Sequence, residues 1–215
     1  MRKITLAISS LLVLLFATFN ANALTVGVSY TTSDFDGSGT EKVGGVNSNT
    51  GTSSHSADYG SIFFESEPNN GWVFGIDYIP GSATFVSESK TQTNVTDADS
   101  TTESKTQKVE ADLDKHLTLY VEKDIYSGVY VKAGLISVDI ATNESIGTGS
   151  KYPDDELFGH TYGLGYRYDT DSFVIKFEAS ISEYDEISLT SSNTSNTVTG
   201  DFDAETAKLS IGYKF

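Results

Sequence analysis

The chain ends on Ala207-Lys208-Leu209-Ser210-Ile211-Gly212-Tyr213-Lys214-Phe215, where every second residue is apolar and those between are small or cationic. A period of two makes a strand with one apolar and one polar face. This strand keeps its apolar face to the last residue, so that face must meet something other than water. Hydrocarbon is one such surroundings, and only helices and closed barrels satisfy their backbones there. The terminal strand therefore fits the closing stave of a transmembrane barrel.

Seven further segments carry the same signal. Strands are expected over residues 24–32, 56–66, 72–83, 111–122, 129–140, 158–169, 173–186 and 203–215. Each approaches or exceeds the ~9–11 residues that a tilted strand needs to cross a bilayer. The first alternates Leu24, Val26, Val28 and Tyr30 with Thr25, Gly27, Ser29 and Thr31. In the seventh, Phe173, Ile175, Phe177, Ala179 and Ile181 oppose Lys176, Glu178, Ser180 and Ser182. The second and fifth are irregular, because Ile62, Phe64, Ile136 and Val138 break parity; a bulge or a partly apolar interior would account for them. The expected fold is all-β, an eight-stranded antiparallel up-and-down transmembrane β-barrel. A soluble lipocalin-like barrel is the alternative, but its apolar face would point inward.

The connections alternate in length. Residues 67–71, 123–128 and 170–172 are short turns, whereas 33–55, 84–110, 141–157 and 187–202 are long and polar. Short turns at one end and long loops at the other are the outer-membrane pattern. Phe63, Phe64, Trp72, Phe74, Tyr120, Tyr126, Tyr130, Tyr166, Tyr168, Phe173, Tyr213 and Phe215 cluster at the short-turn end, as an interfacial girdle would. Within 84–110, Glu88-Ser89-Lys90-Thr91-Gln92 recurs as Glu103-Ser104-Lys105-Thr106-Gln107. Neither copy has an apolar face, so this tract supplies no further spanning strand; it extends the third and fourth strands above the membrane as a polar hairpin or remains mobile.

Residues 1–23 read as an export signal: Arg2 and Lys3, an apolar run, then Ala21-Asn22-Ala23 for cleavage. The barrel domain is then 24–215. There is no cysteine, hence no disulfide and no thiolate metal site. The net charge is −16, and it becomes more negative once Arg2 and Lys3 leave. That balance excludes nucleic acid as a partner and disfavours bare anionic lipid.

With signal, strand count, loop asymmetry and terminal Phe together, the chain resembles the small outer-membrane barrels of the OmpA/OmpX/opacity-protein type. The resemblance covers 24–215 and is sharpest at Tyr162-Gly163-Leu164-Gly165-Tyr166-Arg167-Tyr168 and at Leu209 to Phe215. It implies residence in the outer membrane of a Gram-negative-type envelope, among lipid and lipopolysaccharide. It also implies handling by periplasmic chaperones and by the barrel-assembly machinery, with Phe215, Tyr213 and Ile211 as the assembly signal. Some such barrels are lipid A deacylases or palmitoyltransferases. His160-Thr161-Tyr162 lacks the His-x-Ser-Asn pattern of the deacylases, and no Ser–His–acid set can be assembled. The expectation is no enzyme activity and no cofactor.

The interior of so narrow a barrel is filled by side chains. Parity assigns to it Asp58, Asp77, His116, Glu122, Lys132, Arg167, Lys176, Glu178, Lys208 and Lys214, read as a mutually paired plug in preference to a solute path. Asp34-Phe35-Asp36-Gly37-Ser38-Gly39-Thr40-Glu41 lacks the twelfth-position Glu of a calcium loop. That tract, Asp97-Ala98-Asp99 and Asp154-Asp155-Glu156 read as solvated acids, with no metal site assigned. The function expected is a structural or surface-interaction role through the outer loops, whose ligand the residues do not name. The alternatives are a narrow porin-like channel and, less favoured, a lipid A-modifying enzyme.

Overall fold

Backbone hydrogen bonds decide the architecture, because an edge left open in lipid would leave N–H and C=O groups without partners. A computed structural model describes residues 24–43, 46–67, 70–96, 102–145, 151–192 and 196–215; the expected export signal and Asp97-Ala98-Asp99 lie outside them. The elements are β1 (Leu24–Val43), β2 (Val46–Ser66), β3 (Trp72–Tyr78), β4 (Ala83–Thr96), β5 (Thr102–Tyr126), β6 (Val129–Ser145), β7 (Asp155–Asp169), β8 (Phe173–Tyr184), β9 (Ile187–Thr190) and β10 (Thr197–Lys214).

All pairings are antiparallel. The ring runs β1–β2–β3–β5–β6–β7–β8–β10, and β10 closes on β1 from Thr25↔Lys214 to Lys42↔Thr197. β4 and β9 prolong β3 and β8 past short breaks and pair with β5 and β10, so the barrel has eight staves. The first break, at residues 79–82, contains Pro80, which has no N–H to give a ladder.

Most of the long polar stretches are strands rather than loops. β1 and β2 stay paired to Val43↔Val46, and β4 and β5 to Thr96↔Thr102. These extensions have no membrane to face, so they lack the outward apolar row by which a spanning strand is recognised. Where the barrel leaves the hydrocarbon, its polarity inverts. Val28, Tyr30, Leu209 and Ile211 point outward lower down, whereas Asp34, Asp36, Asp203 and Glu205 point outward above. Inside, Thr25, Ser29, Thr31 and Ser33 give way to Phe35, which packs with Val138, Ile140, Leu157, Phe202 and Ala204. That inversion accounts for the irregular strands. The ladder from Val129↔Tyr166 to Ile140↔Asp155 has no bulge, so Ile136 and Val138 point inward. In β2, Ile62 and Phe64 face out while Phe63 lies inside at 2% exposure. The interior is partly apolar.

A register shift lies instead in β5, between Asp114 and Leu117, where Lys115 takes φ 50°. At the opposite end Ser127 (φ 45°) and Gly128 (φ 85°) make the two-residue turn from β5 to β6, the tight hairpin whose central residues both need positive φ. The Gly128 carbonyl accepts Arg167 N–H at 2.7 Å, and a Cβ there would stand 2.5 Å from the Arg167 carbonyl oxygen. Gly128→Val should therefore destabilise the folded barrel by ~1–3 kcal/mol. Urea titration of the refolded protein in vesicles, read by heat-modifiable gel mobility, checks this; an unchanged midpoint would contradict it.

Candidate functional site: the barrel interior

The inward residues of the ring form three layers. At the turn end, Lys214 Nζ meets Asp169 Oδ1 at 2.6 Å and Glu67 Oε2 at 3.9 Å, and Arg167 also pairs with Glu67. Directly above, Arg167 Nη2 donates to Glu65 Oε2 at 3.0 Å and to Glu122 Oε2 at 2.7 Å. Lys176 pairs with both of those carboxylates too. The Tyr120 hydroxyl donates to Glu65 at 2.7 Å. Lys132 Nζ donates to Glu178 Oε1 at 2.8 Å, and the Tyr130 hydroxyl donates to its other oxygen at 3.1 Å.

Three rings fill the remaining space, each seated on a glycine of another strand. A Cβ on Gly75 would lie 2.2 Å from Tyr120, one on Gly165 2.2 Å from Tyr130, and one on Gly27 2.4 Å from Phe63. Gly165 thus has a packing reason within the Tyr162–Tyr168 motif. The lysines lie over these rings, Lys132 at 4.3 Å from the Tyr120 centroid and Lys176 at 5.3 Å from that of Tyr130.

The middle layer is polar and slightly open. Lys208 Nζ donates to Asp77 Oδ2 at 2.9 Å, and His116 Nε2 lies 3.2 Å from the Tyr184 hydroxyl. Around them is a cavity of about 30 Å³, bordered by Thr118, Thr161, Ser180 and Thr206 among others. Since a water requires ~10–15 Å³ by that measure, roughly two could fit; the unpaired, buried His116 Nδ1 would offer one a partner. The upper layer is the apolar cluster around Phe35 and Val138, joined to the middle layer by Tyr184, which stacks on Phe202 at 4.2 Å.

Asp77, Glu122, Lys132, Arg167, Lys176 and Glu178 are thus buried in the interior, Lys208 nearly so, and Lys214 at its lower rim. Asp58 is not among them: it is exposed on the outer wall and accepts the Thr32 hydroxyl. Inward residues of β2 are odd-numbered, so Tyr59 points in at that level, bonded to Ser33, and the interior acid of β2 is Glu65, lower down, which the parity reading does not include. Ile62 and Phe64 were the available signal, since placing them against lipid puts Glu65 inside. Phe63, Tyr120 and Tyr130, expected in the girdle, are also interior. Ile211, Tyr213 and Phe215 point outward, with edge-on ring contacts Phe173–Tyr213 and Tyr213–Phe215 at 5.4 and 4.9 Å.

The remaining candidates are on the wall. His160 Nε2 lies 3.0 Å from Glu183 Oε2, with Tyr162 edge-on. Asp34 and Asp36 accept from Ser56 and Ser54. Above the hydrocarbon, the Asp139 carboxylate, bonded at 2.8 Å, raises Lys115 beyond the ordinary lysine value. Among the described residues no group of three or more His, Cys, Asp or Glu is placed to hold a metal ion.

No protein-family model matches the chain. No curated relative matches it either. Solved structures do. The outer membrane protein OprG from Pseudomonas aeruginosa superposes with a TM-score of 0.53 at 14% identity, over 91% of this chain and 96% of that one. The outer membrane protease OmpT from Escherichia coli gives 0.47 at 9% identity, over 92% and 98%. Neisserial surface protein A gives 0.40 at 12%, over 87% and 97%. At 14% identity the property shared with OprG is the fold, that of a small outer-membrane β-barrel. The chain has the fold of an outer-membrane barrel.

Removing one member of the buried network leaves uncompensated charge. Arg167→Met should cost ~3–5 kcal/mol, because Glu65 and Glu122 would share Lys176 as their one cationic partner. Urea unfolding in lipid vesicles measures it, and a loss below about 1 kcal/mol would show the network to be solvated.

Proposed function

We propose that the protein is a non-conducting, non-enzymatic anchor in the outer membrane that displays a rigid β-stalk outward. Its tips make the functional contacts. The observation that supports this reading is the bore itself: an ion-paired floor under an apolar cap, with paired strands continuing beyond the hydrocarbon. From Tyr30 to Val43, β1 rises about 3.3 Å per residue at a tilt near 40°, which lifts the tip roughly 30 Å above the apolar belt. Lipopolysaccharide surrounds the stalk, and the tips meet whatever lies beyond it.

On this reading residues 1–23 are an export signal cleaved after Ala23, and Ile211, Tyr213 and Phe215 present the outward face that periplasmic chaperones and the barrel-assembly machinery engage. Phe215→Ala should slow assembly, seen as accumulation of heat-unmodified protein in pulse-labelled cells. Assembly at the parental rate would discard that role.

Planar-bilayer recording tests the closed bore. No unitary steps should be resolved for the purified protein. Steady steps of one size, abolished by boiling, would establish a channel and sink the anchor reading.

A further inference from the structure

The lipid-facing wall has a notch at one height. Across β7, β8, β10 and β1 the outward row Tyr166, Phe177, Leu209 and Tyr30 is bulky at every stave. Two residues higher the row is Leu164, Ala179, Ala207 and Thr32, with the two alanines directly opposite each other. Their short side chains leave an open, apolar groove of about 680 Å³ walled by Tyr30, Leu209, Phe177 and Leu164.

Acids stand over the groove. In the next outward row Ile181 is followed by Glu205 and Asp34, and above these Asp203 faces Asp36. Asp58 flanks Thr32 on β2. The cations of the same staves are turned away. Arg167, Lys176, Lys208 and Lys214, every lysine and arginine of β7, β8 and β10, face the bore and pair with acids there. The one lysine of β1, Lys42, lies eight residues above Asp34. Among the described residues no lysine or arginine pairs with Asp34, Asp36, Asp58, Asp203 or Glu205. Hydroxyls of Ser56, Ser54 and Thr32 bond the first three without cancelling their charge.

A groove under a row of uncompensated carboxylates selects its occupant by charge. A hydrocarbon chain fits the apolar floor, and Glu205 and Asp34 stand roughly 7 Å above it, two residue rises along the strands. A positive head neutralises them at the membrane boundary, where unpaired charge is costly. A phosphate head, or the equally acidic wall of a second copy, is repelled. We propose that the groove over Ala179 and Ala207 binds a cationic amphiphile, a protonated amine on a single hydrocarbon chain. The chain lies against Phe177 and Leu209, and the amine sits between Asp34 and Glu205. The site belongs to the outer wall and adds to the anchor role without depending on the closed bore.

Photo-crosslinking in vesicles tests it. The refolded protein in phosphatidylcholine vesicles is given a trace of hexadecylamine bearing a diazirine in its chain, or hexadecyl phosphate bearing the same diazirine. After irradiation, labelled peptides are mapped by mass spectrometry. The amine should label the segments around Ala179 and Ala207 at least about tenfold more than the phosphate does. Ala207→Phe, which fills the groove, should lower that labelling to the level of the opposite wall. Asp34→Asn with Glu205→Gln should lower it about tenfold while heat-modifiable mobility stays normal. Equal labelling by the two probes, even labelling around the barrel, or labelling indifferent to either variant would overturn the proposal. None of these outcomes bears on conductance, so bilayer recording decides the closed-bore anchor separately.

Discussion

Arg167 and Lys176 lie directly opposite each other on β7 and β8, a like-charge pair that on its own would push the strands apart. They are tolerated because Glu65 and Glu122 reach them from β2 and β5, each carboxylate touching both cations. The hydrocarbon outside makes this mutual neutralisation compulsory, since neither ion can find water through the wall. The next pairs obey the same constraint: Lys132 with Glu178, and Lys208 with Asp77. Every charge in these buried layers has an opposite within hydrogen-bonding distance, contributed by a different strand. The network therefore ties together every stave of the ring except β1, as well as filling its centre.

The rings complete what the ions begin. Tyr120, Tyr130 and Phe63 occupy volume that only Gly75, Gly165 and Gly27 leave vacant, and two of their hydroxyls bond the same carboxylates. Packing and neutralisation are one arrangement here. The apolar cluster above could not serve in its place at membrane depth, because the wall there needs its apolar residues on the outside. Once the strands reach water, apolar side chains turn inward and the barrel becomes an ordinary two-faced β structure.

This exchange of faces explains how far the residues foretell the structure. The spanning strands are legible because lipid demands an unbroken outward row, as in Phe173, Ile175, Phe177 and Ile181. The extensions are not, since water outside and a thin core inside leave Ser, Thr and Gly to be held by backbone pairing and a few side-chain hydrogen bonds, with no outward apolar row. Strand β2 crosses from one regime to the other at Gly60, and that is why its parity misleads: Asp58 reads as inward and Glu65 does not. Tyr120 and Tyr130 were misplaced for a different reason. An aromatic near a turn suits the interfacial girdle as well as the bore, and only the facing glycines, Gly75 and Gly165, decide between them. Those glycines sit on other strands, so register must be known first.

Above the belt the wall has a cost that the buried layers avoid. Asp34 is opposite Glu205 and Asp36 opposite Asp203, all four outward. Serine hydroxyls from β2 bond Asp34 and Asp36 but cancel no charge, and like charges in register weaken a ladder. Water and salt screen the repulsion within ~8–10 Å, so the stalk stays folded while its wall still repels any surface of the same sign. Other copies of the chain are such surfaces. An acidic wall of this kind confines close approach to segments that carry no net charge.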